Sequence, residues 1–85
     1  MFVYVIRSDQ DQRLYVGMTG DVERSLMEHN AGRTRSTKGY RPWRMLHIEE
    51  YPDRESARKR EKYLKSGFGK YWLNKKYPTV LYLPT

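Results

Sequence analysis

The stretch Leu14-Tyr15-Val16-Gly17-Met18-Thr19-Gly20-Asp21-Val22-Glu23-Arg24-Ser25-Leu26-Met27-Glu28-His29-Asn30 decides how the rest of the chain is read. Leu14 to Met18 has the apolar, aromatic and β-branched content of a short strand. Gly17 interrupts it where a side chain would otherwise stand, as glycines do where backbone or ligand must approach closely. Thr19 or Asp21 can cap the helix that follows, and acidic Asp21 and Glu23 suit its positive N-terminal end. That helix stops at Asn30-Ala31-Gly32, with Gly32 placed as its C-terminal glycine. At about 100° per residue, Val22, Ser25, Leu26 and His29 fall on one face, and Arg24 projects from the opposite side.

Upstream, Met1 to Ile6 is apolar on both alternations, with Val3 and Val5 on one face and Phe2, Tyr4 and Ile6 on the other. A strand covered on both sides gives this pattern and belongs in the middle of a sheet. The polar run Ser8 to Arg13 then turns the chain, so the two strands form an antiparallel hairpin. Downstream, Gly32 to Pro42 reads as a basic loop too polar for the core. Trp43 to Tyr51 resumes strand character, with Met45, Leu46 and Ile48 as its apolar content. Pro52 ends it, Asp53 caps a helix running to about Lys65, Ser66-Gly67 closes that helix, and Gly69 to Tyr77 makes a further short one. Pro78 to Thr85 is an edge strand or lies across the core. The expected order is ββαβαα, in one domain over residues 1–85 without repeats or low-complexity segments.

The chain has 85 residues and no cysteine, which excludes disulfides and cysteine-based zinc sites and suits a reducing compartment. The longest apolar run, Met1 to Ile6, is far short of the ~20 residues a membrane-spanning helix needs. No signal peptide is expected, and a cytoplasmic protein is the reading that follows. The net charge of +7 is unevenly distributed. Residues 1–31 carry a net of −2, residues 32–44 carry five basic side chains and no acid, and residues 53–85 carry a net of +6. Two separated basic clusters, with eight tyrosines available for stacking, point to a polyanionic partner and to nucleic acid in particular.

Four residues could carry chemistry. Glu61 falls in the stripe Ala57, Glu61, Leu64 and Phe68, whose spacing faces a core. A carboxylate there needs a partner, either a surface cation such as Arg58 or Lys65 or a bound metal. His29 sits on an apolar helix face, where histidines are more often hydrogen-bonded core residues than catalysts, and His47 is given a packing role on the third strand. Two histidines without cysteine argue against structural zinc, whereas Mg²⁺ needs one or two carboxylates with phosphate and water. Tyr4 and Tyr15 lie on the hairpin, where packing is their ordinary role. A phenol titrating near pH 10 is a poor base at neutral pH unless nearby cations help it.

Val3-Tyr4-Val5, then Tyr15-Val16-Gly17, then His29-Asn30 on the first helix and Arg60-Glu61 on a later one together resemble the GIY-YIG nuclease family. The segment Arg58-Lys59-Arg60-Glu61-Lys62-Tyr63-Leu64-Lys65-Ser66-Gly67 and the loop with Ser36-Thr37-Lys38 are similar to its small free-standing bacterial members. The resemblance implies an α+β fold, a small three-stranded antiparallel sheet flanked by helices. It also implies metal-dependent hydrolysis of phosphodiester bonds by an endonuclease, on DNA more than RNA, with Mg²⁺ or Mn²⁺ and with neither a membrane nor a small-molecule cofactor.

Carried over by position, Glu61 holds the metal, Tyr15 activates or positions the attacking water, and Tyr4 supports it. His29 assists proton transfer or holds the phosphate, and Gly17 lets its strand lie close to the site. Asn74 corresponds to a late asparagine of some members. Arg33, Arg35, Lys38, Arg41, Arg58, Lys62, Lys65 and Lys70 are the expected nucleic-acid contacts. One position departs from the pattern: Ser25 stands where the family has an arginine. Arg24 is adjacent but on the other side of the helix. Impaired hydrolysis is one consequence; the alternative is a non-enzymatic nucleic-acid-binding module that keeps the fold.

Overall fold

Strand β1 (Phe2–Ser8) takes the middle of a three-stranded antiparallel sheet, between β2 (Leu14–Thr19) and β3 (Trp43–Glu50). The doubly apolar pattern of its first residues is thereby accounted for: Val3 to Ser8 are all buried. The computed structural model describes residues 1–78, so the expected tail element lies almost wholly outside the described residues. Helices α1 (Val22–Asn30), α2 (Arg35–Lys38), α3 (Arg54–Lys65) and α4 (Gly67–Lys76) complete an α+β fold in the expected ββαβαα order, with α2 a single added turn in the basic loop.

The sheet separates two apolar layers. Val3, Val5 and Val16 meet Ala57 and Leu64 of α3 and Leu73 of α4 on one face. Tyr4, Ile6 and Trp43 meet Tyr15, Leu26, Tyr40 and Met45 on the other. Strand β3 serves both layers because its register on β1 slips between Val5 and Ile6: Val5 faces His47, whereas Ile6 faces Met45. One extra residue reverses the alternation. Trp43 and Met45 therefore point toward the α1 layer, while Leu46 joins the α3 layer. Ile48 remains exposed.

Helix ends follow their caps. Asp21, rather than Thr19, accepts from the Arg24 amide at the start of α1, and Asp53 accepts from Ser56 at the start of α3. Gly32 takes a φ of 79° just past α1, a conformation that suits glycine, and the Arg41 guanidinium lies across the space its side chain would fill.

Three expectations need correction. Phe68 is 80% exposed and forms no part of the core stripe. Ser66 adopts an extended conformation, ends α3 and caps a new helix at Gly67, so the helical phase restarts before Phe68. Gly69 then packs where any Cβ would run into the Tyr63 and Leu64 backbone, and Leu73 fills the core instead. The basic loop is not wholly solvent-exposed, because Thr37 is completely buried within it.

His47 does more than pack. Its Nδ1 lies 2.7 Å from the Tyr77 hydroxyl and its Nε2 lies 2.7 Å from Glu49. Glu49 also accepts from Tyr51 at 2.6 Å and from both ends of the Arg60 guanidinium at 2.8 and 3.0 Å. This polar cluster ties β3 to α3, and through Tyr77 to the chain beyond α4. Burial alone would raise the Glu49 pKa, but the hydrogen bonds from Arg60, Tyr51 and His47 outweigh it and hold the carboxyl at about 2.

Candidate active site

The hairpin brings Tyr4 and Tyr15 to the face covered by α1, with ring centroids 6.5 Å apart. Tyr4 pairs across the strands with Gly17, and its ring lies over that glycine. A Cβ at Gly17 would stand 2.6 Å from the Tyr4 hydroxyl oxygen, so the close approach served by this glycine is that of a phenol. Gly17→Ala is accordingly expected to displace Tyr4 and cost ~1–3 kcal/mol. The test is the urea midpoint, and an unchanged midpoint would contradict the close fit.

His29 comes down on this pair from the last turn of α1. Its Nε2 lies 2.8 Å from the Tyr4 hydroxyl, and its ring stands edge-on to Tyr15 at 4.9 Å between centroids. Asn30 fixes that end of α1 by donating to the Trp43 carbonyl at 2.9 Å and accepting from the Trp43 amide at 2.7 Å. Burial lowers the His29 pKa, favouring the neutral ring. Burial, then the neighbouring Tyr15, pushes Tyr4 up to about 12, against the lowering influence of the Ser25 hydroxyl. Tyr4 is thus a protonated phenol at neutral pH.

A model of the GIY-YIG catalytic domain matches residues 1–77, which include every element just described. The chain belongs to the GIY-YIG family. A UPF0213 protein of Haloquadratum walsbyi is 41% identical over 66 residues, covering 76% of this chain and 73% of the relative. One from Natronomonas pharaonis is 39% identical over 66 residues, covering 76% of each chain. One from Listeria welshimeri is 43% identical over 61 residues, covering 71% of this chain and 67% of its own. No solved structure matches.

Within this GIY-YIG domain, Ser25 lies on the α1 face toward Tyr4, one turn before His29. Its hydroxyl donates to the Thr19 hydroxyl at 2.7 Å, so the position holds a neutral group bonded to the end of β2. Arg24 points away, with a side chain 75% exposed and 3.6 Å from Glu28. It is not placed to stand in for a cation at position 25.

Glu61 has a side chain only 18% exposed and lies 3.3 Å from the Lys65 ammonium. Of the two partners read from the sequence, the structure shows the cation: the carboxylate is largely buried, and the lysine one turn on is paired with it. Its charge contributes to the raised pKa of Tyr4, which places it within electrostatic reach of the phenol. Among the described residues, no three His, Cys, Asp or Glu side chains cluster as a metal-binding group. A single carboxylate with a flexible, half-exposed lysine beside it nevertheless fits a hard ion that takes most of its ligands from phosphate and water.

A cleft of about 340 Å³ is lined by Leu14, Tyr15, Val16, Leu64, Lys65, Lys70 and Leu73; of the site residues only Tyr15 reaches it, and Tyr4, His29, Ser25 and Glu61 do not line it. Arg33, Arg35 and Lys38 are exposed on the loop that packs against His29, and Arg41 is half-buried across Gly32. Arg58 and Lys62 are exposed on α3 and do not line the cleft. Asn74 lines a neighbouring depression with Arg13 and Lys70, away from the tyrosine pair. Reading the sequence missed Thr19 and Thr37, the hydroxyls that hold Ser25 and His29. Thr19 stands at a helix start and Thr37 in the family-like Ser36-Thr37-Lys38 loop, but neither pattern says which side chain its hydroxyl bonds.

Proposed function

We propose that this domain is a metal-dependent phosphodiester hydrolase acting on nucleic acid, DNA more than RNA, with a rate limited by Ser25. The observation that carries the reading is the convergence of Tyr4, Tyr15 and His29, with one ring nitrogen of His29 bonded to Tyr4 and its edge against Tyr15. Ordinary core packing does not require a buried histidine between two tyrosines, with a largely buried carboxylate in electrostatic reach.

In this reading the scissile phosphate approaches Tyr15, drawn by Lys65 and Lys70 near it and by the exposed cations of the basic loop. Glu61 would hold the Mg²⁺ or Mn²⁺ ion, and Lys65, now paired with it, would be free to meet the phosphate. Such an ion, when bound, polarises the phosphoryl group and favours ionisation of water. Tyr15 orients the attacking water by hydrogen bonding through its hydroxyl. Tyr4 stays protonated and braces His29. The charge that grows on the phosphoryl oxygens meets a hydroxyl at Ser25, which brings no positive charge.

A second reading, a nucleic-acid-binding module without catalysis, is favoured by one observation. Neither Ser25 nor the outward Arg24 puts a guanidinium at the site.

Cleavage assays with single- and double-stranded DNA and RNA, each with Mg²⁺ or Mn²⁺, separate the two. Slow cleavage by the unaltered protein and none by Glu61→Ala supports the hydrolase. Identical background from both on every substrate supports the binding module. Under either reading, affinity falls steeply with salt as basic side chains displace counterions. A flat salt dependence would count against both.

A further inference from the structure

Thr37 is fully buried on the one-turn helix α2, in a loop whose cations face solvent. Its Oγ1 lies 2.8 Å from His29 Nδ1 and 3.3 Å from the Thr34 carbonyl oxygen, while its own carbonyl accepts from the Trp43 indole N–H at 2.8 Å. The other nitrogen of the same imidazole lies 2.8 Å from the Tyr4 hydroxyl.

Donor and acceptor chemistry gives this chain a direction. Thr37 donates to the Thr34 carbonyl, which also accepts from the Thr37 and Lys38 amides, and in that orientation an oxygen lone pair faces His29. Nδ1 then carries the proton and donates to Thr37. A neutral imidazole protonated at Nδ1 can only accept at Nε2, so Tyr4 donates there. We propose that Thr37 is a positioning residue that fixes His29 as the Nδ1–H tautomer and so commits the Tyr4 proton to Nε2. With its proton held by His29, the Tyr4 oxygen presents only lone pairs toward Tyr15 and Ser25. That makes Tyr4 an acceptor for a donor on the Tyr15 and Ser25 side. The same turn of helix carries Arg35 and Lys38 outward. The group that orients His29 therefore shares a rigid unit with cations expected to meet the polyanion.

The geometric part stands alone, while the consequence for rate rests on the hydrolase reading. Long-range ¹⁵N–¹H correlation of the His29 ring at about pH 8, above the ordinary histidine range, reads the tautomer directly. The expected result is a protonated Nδ1 and an unprotonated Nε2. Thr37→Val, which keeps the shape and removes the hydroxyl, should shift the ring toward Nε2–H, and Thr37→Ser should not. A ring protonated on Nε2 in the unaltered protein would overturn the proposal, whether or not the valine variant folds. So would a tautomer unmoved by Thr37→Val.

In the Ser25→Arg background, Thr37→Val should lower kcat roughly tenfold or more with little change in KM, and Thr37→Ser should restore most of it. Equal loss in the two variants, or no loss, would remove the positioning role. If Ser25→Arg cleaves no substrate, the hydrolase reading fails, and the nitrogen spectrum still decides the tautomer.

Discussion

Ser25→Arg is expected to accelerate metal-dependent nucleic-acid cleavage by about tenfold or more over the unaltered protein. Ser25 is one helical turn from His29 and on the same face of α1, and its hydroxyl is close enough to Tyr4 to influence its titration. An arginine there would bring a planar, permanently charged fork to the place where phosphoryl oxygens gain charge. Removing one such contact from an enzyme typically costs ~10²–10³ in rate, which bounds the gain from restoring it. The change also removes the Ser25–Thr19 hydrogen bond, at ~1 kcal/mol, but Thr19 retains its bonds to the Asp21 backbone. Ser25→Gln is the control, since it adds length without charge and should give no comparable increase. Should Ser25→Arg prove as inert as Glu61→Ala on every substrate, the binding module is the better account.

The second large effect is on acid stability and involves Glu49. Its carboxyl is held at about 2 in the folded protein, against an ordinary value of 4.5, by hydrogen bonds from Arg60, Tyr51 and His47 that overcome the cost of burial. A lowered carboxyl pKa means that the unfolded chain binds the proton more readily. The stabilisation is therefore complete above pH 4.5 and is lost as the pH falls toward about 2. The shift corresponds to ~3 kcal/mol, of the same order as breaking a buried ion pair.

Glu49→Gln should consequently unfold at lower urea than the unaltered protein at neutral pH, with the gap closing between pH 4.5 and about 2. His29 titrates separately. Burial lowers its pKa, so its contribution is present above about 6.5 and declines as the pH falls below that value. Urea midpoints for both proteins across this range check the assignment. A gap that stays constant with pH would show that Glu49 acts only by filling space.

Much of the fold was legible because local chemistry and tertiary packing agree. The double alternation of Met1 to Ile6 can be satisfied only by cover on both faces, and β1 has it. Asp53 and Pro52 bracket a helix start whatever packs around it. Phe68 was misread because Ser66 restarts the helical phase, and continuing the spacing across that break assumes a helix that has ended. Thr37 was missed because average polarity describes a segment, whereas burial belongs to single atoms.

The order of elements, the hairpin and the helix face shared by Ser25 and His29 are all determined by the sequence alone. They follow from backbone periodicity, capping chemistry and residue identity at fixed spacings. Which hydroxyl holds which ring, and how the bulged β3 divides its side chains between two layers, only the tertiary structure decided. These contacts join different elements of the fold, and their energies depend on distances of a few tenths of an ångström that no local pattern encodes. The same holds for Glu61: its spacing places it on an inward-facing stripe one turn from Lys65, but only the packed fold brings it within electrostatic reach of Tyr4.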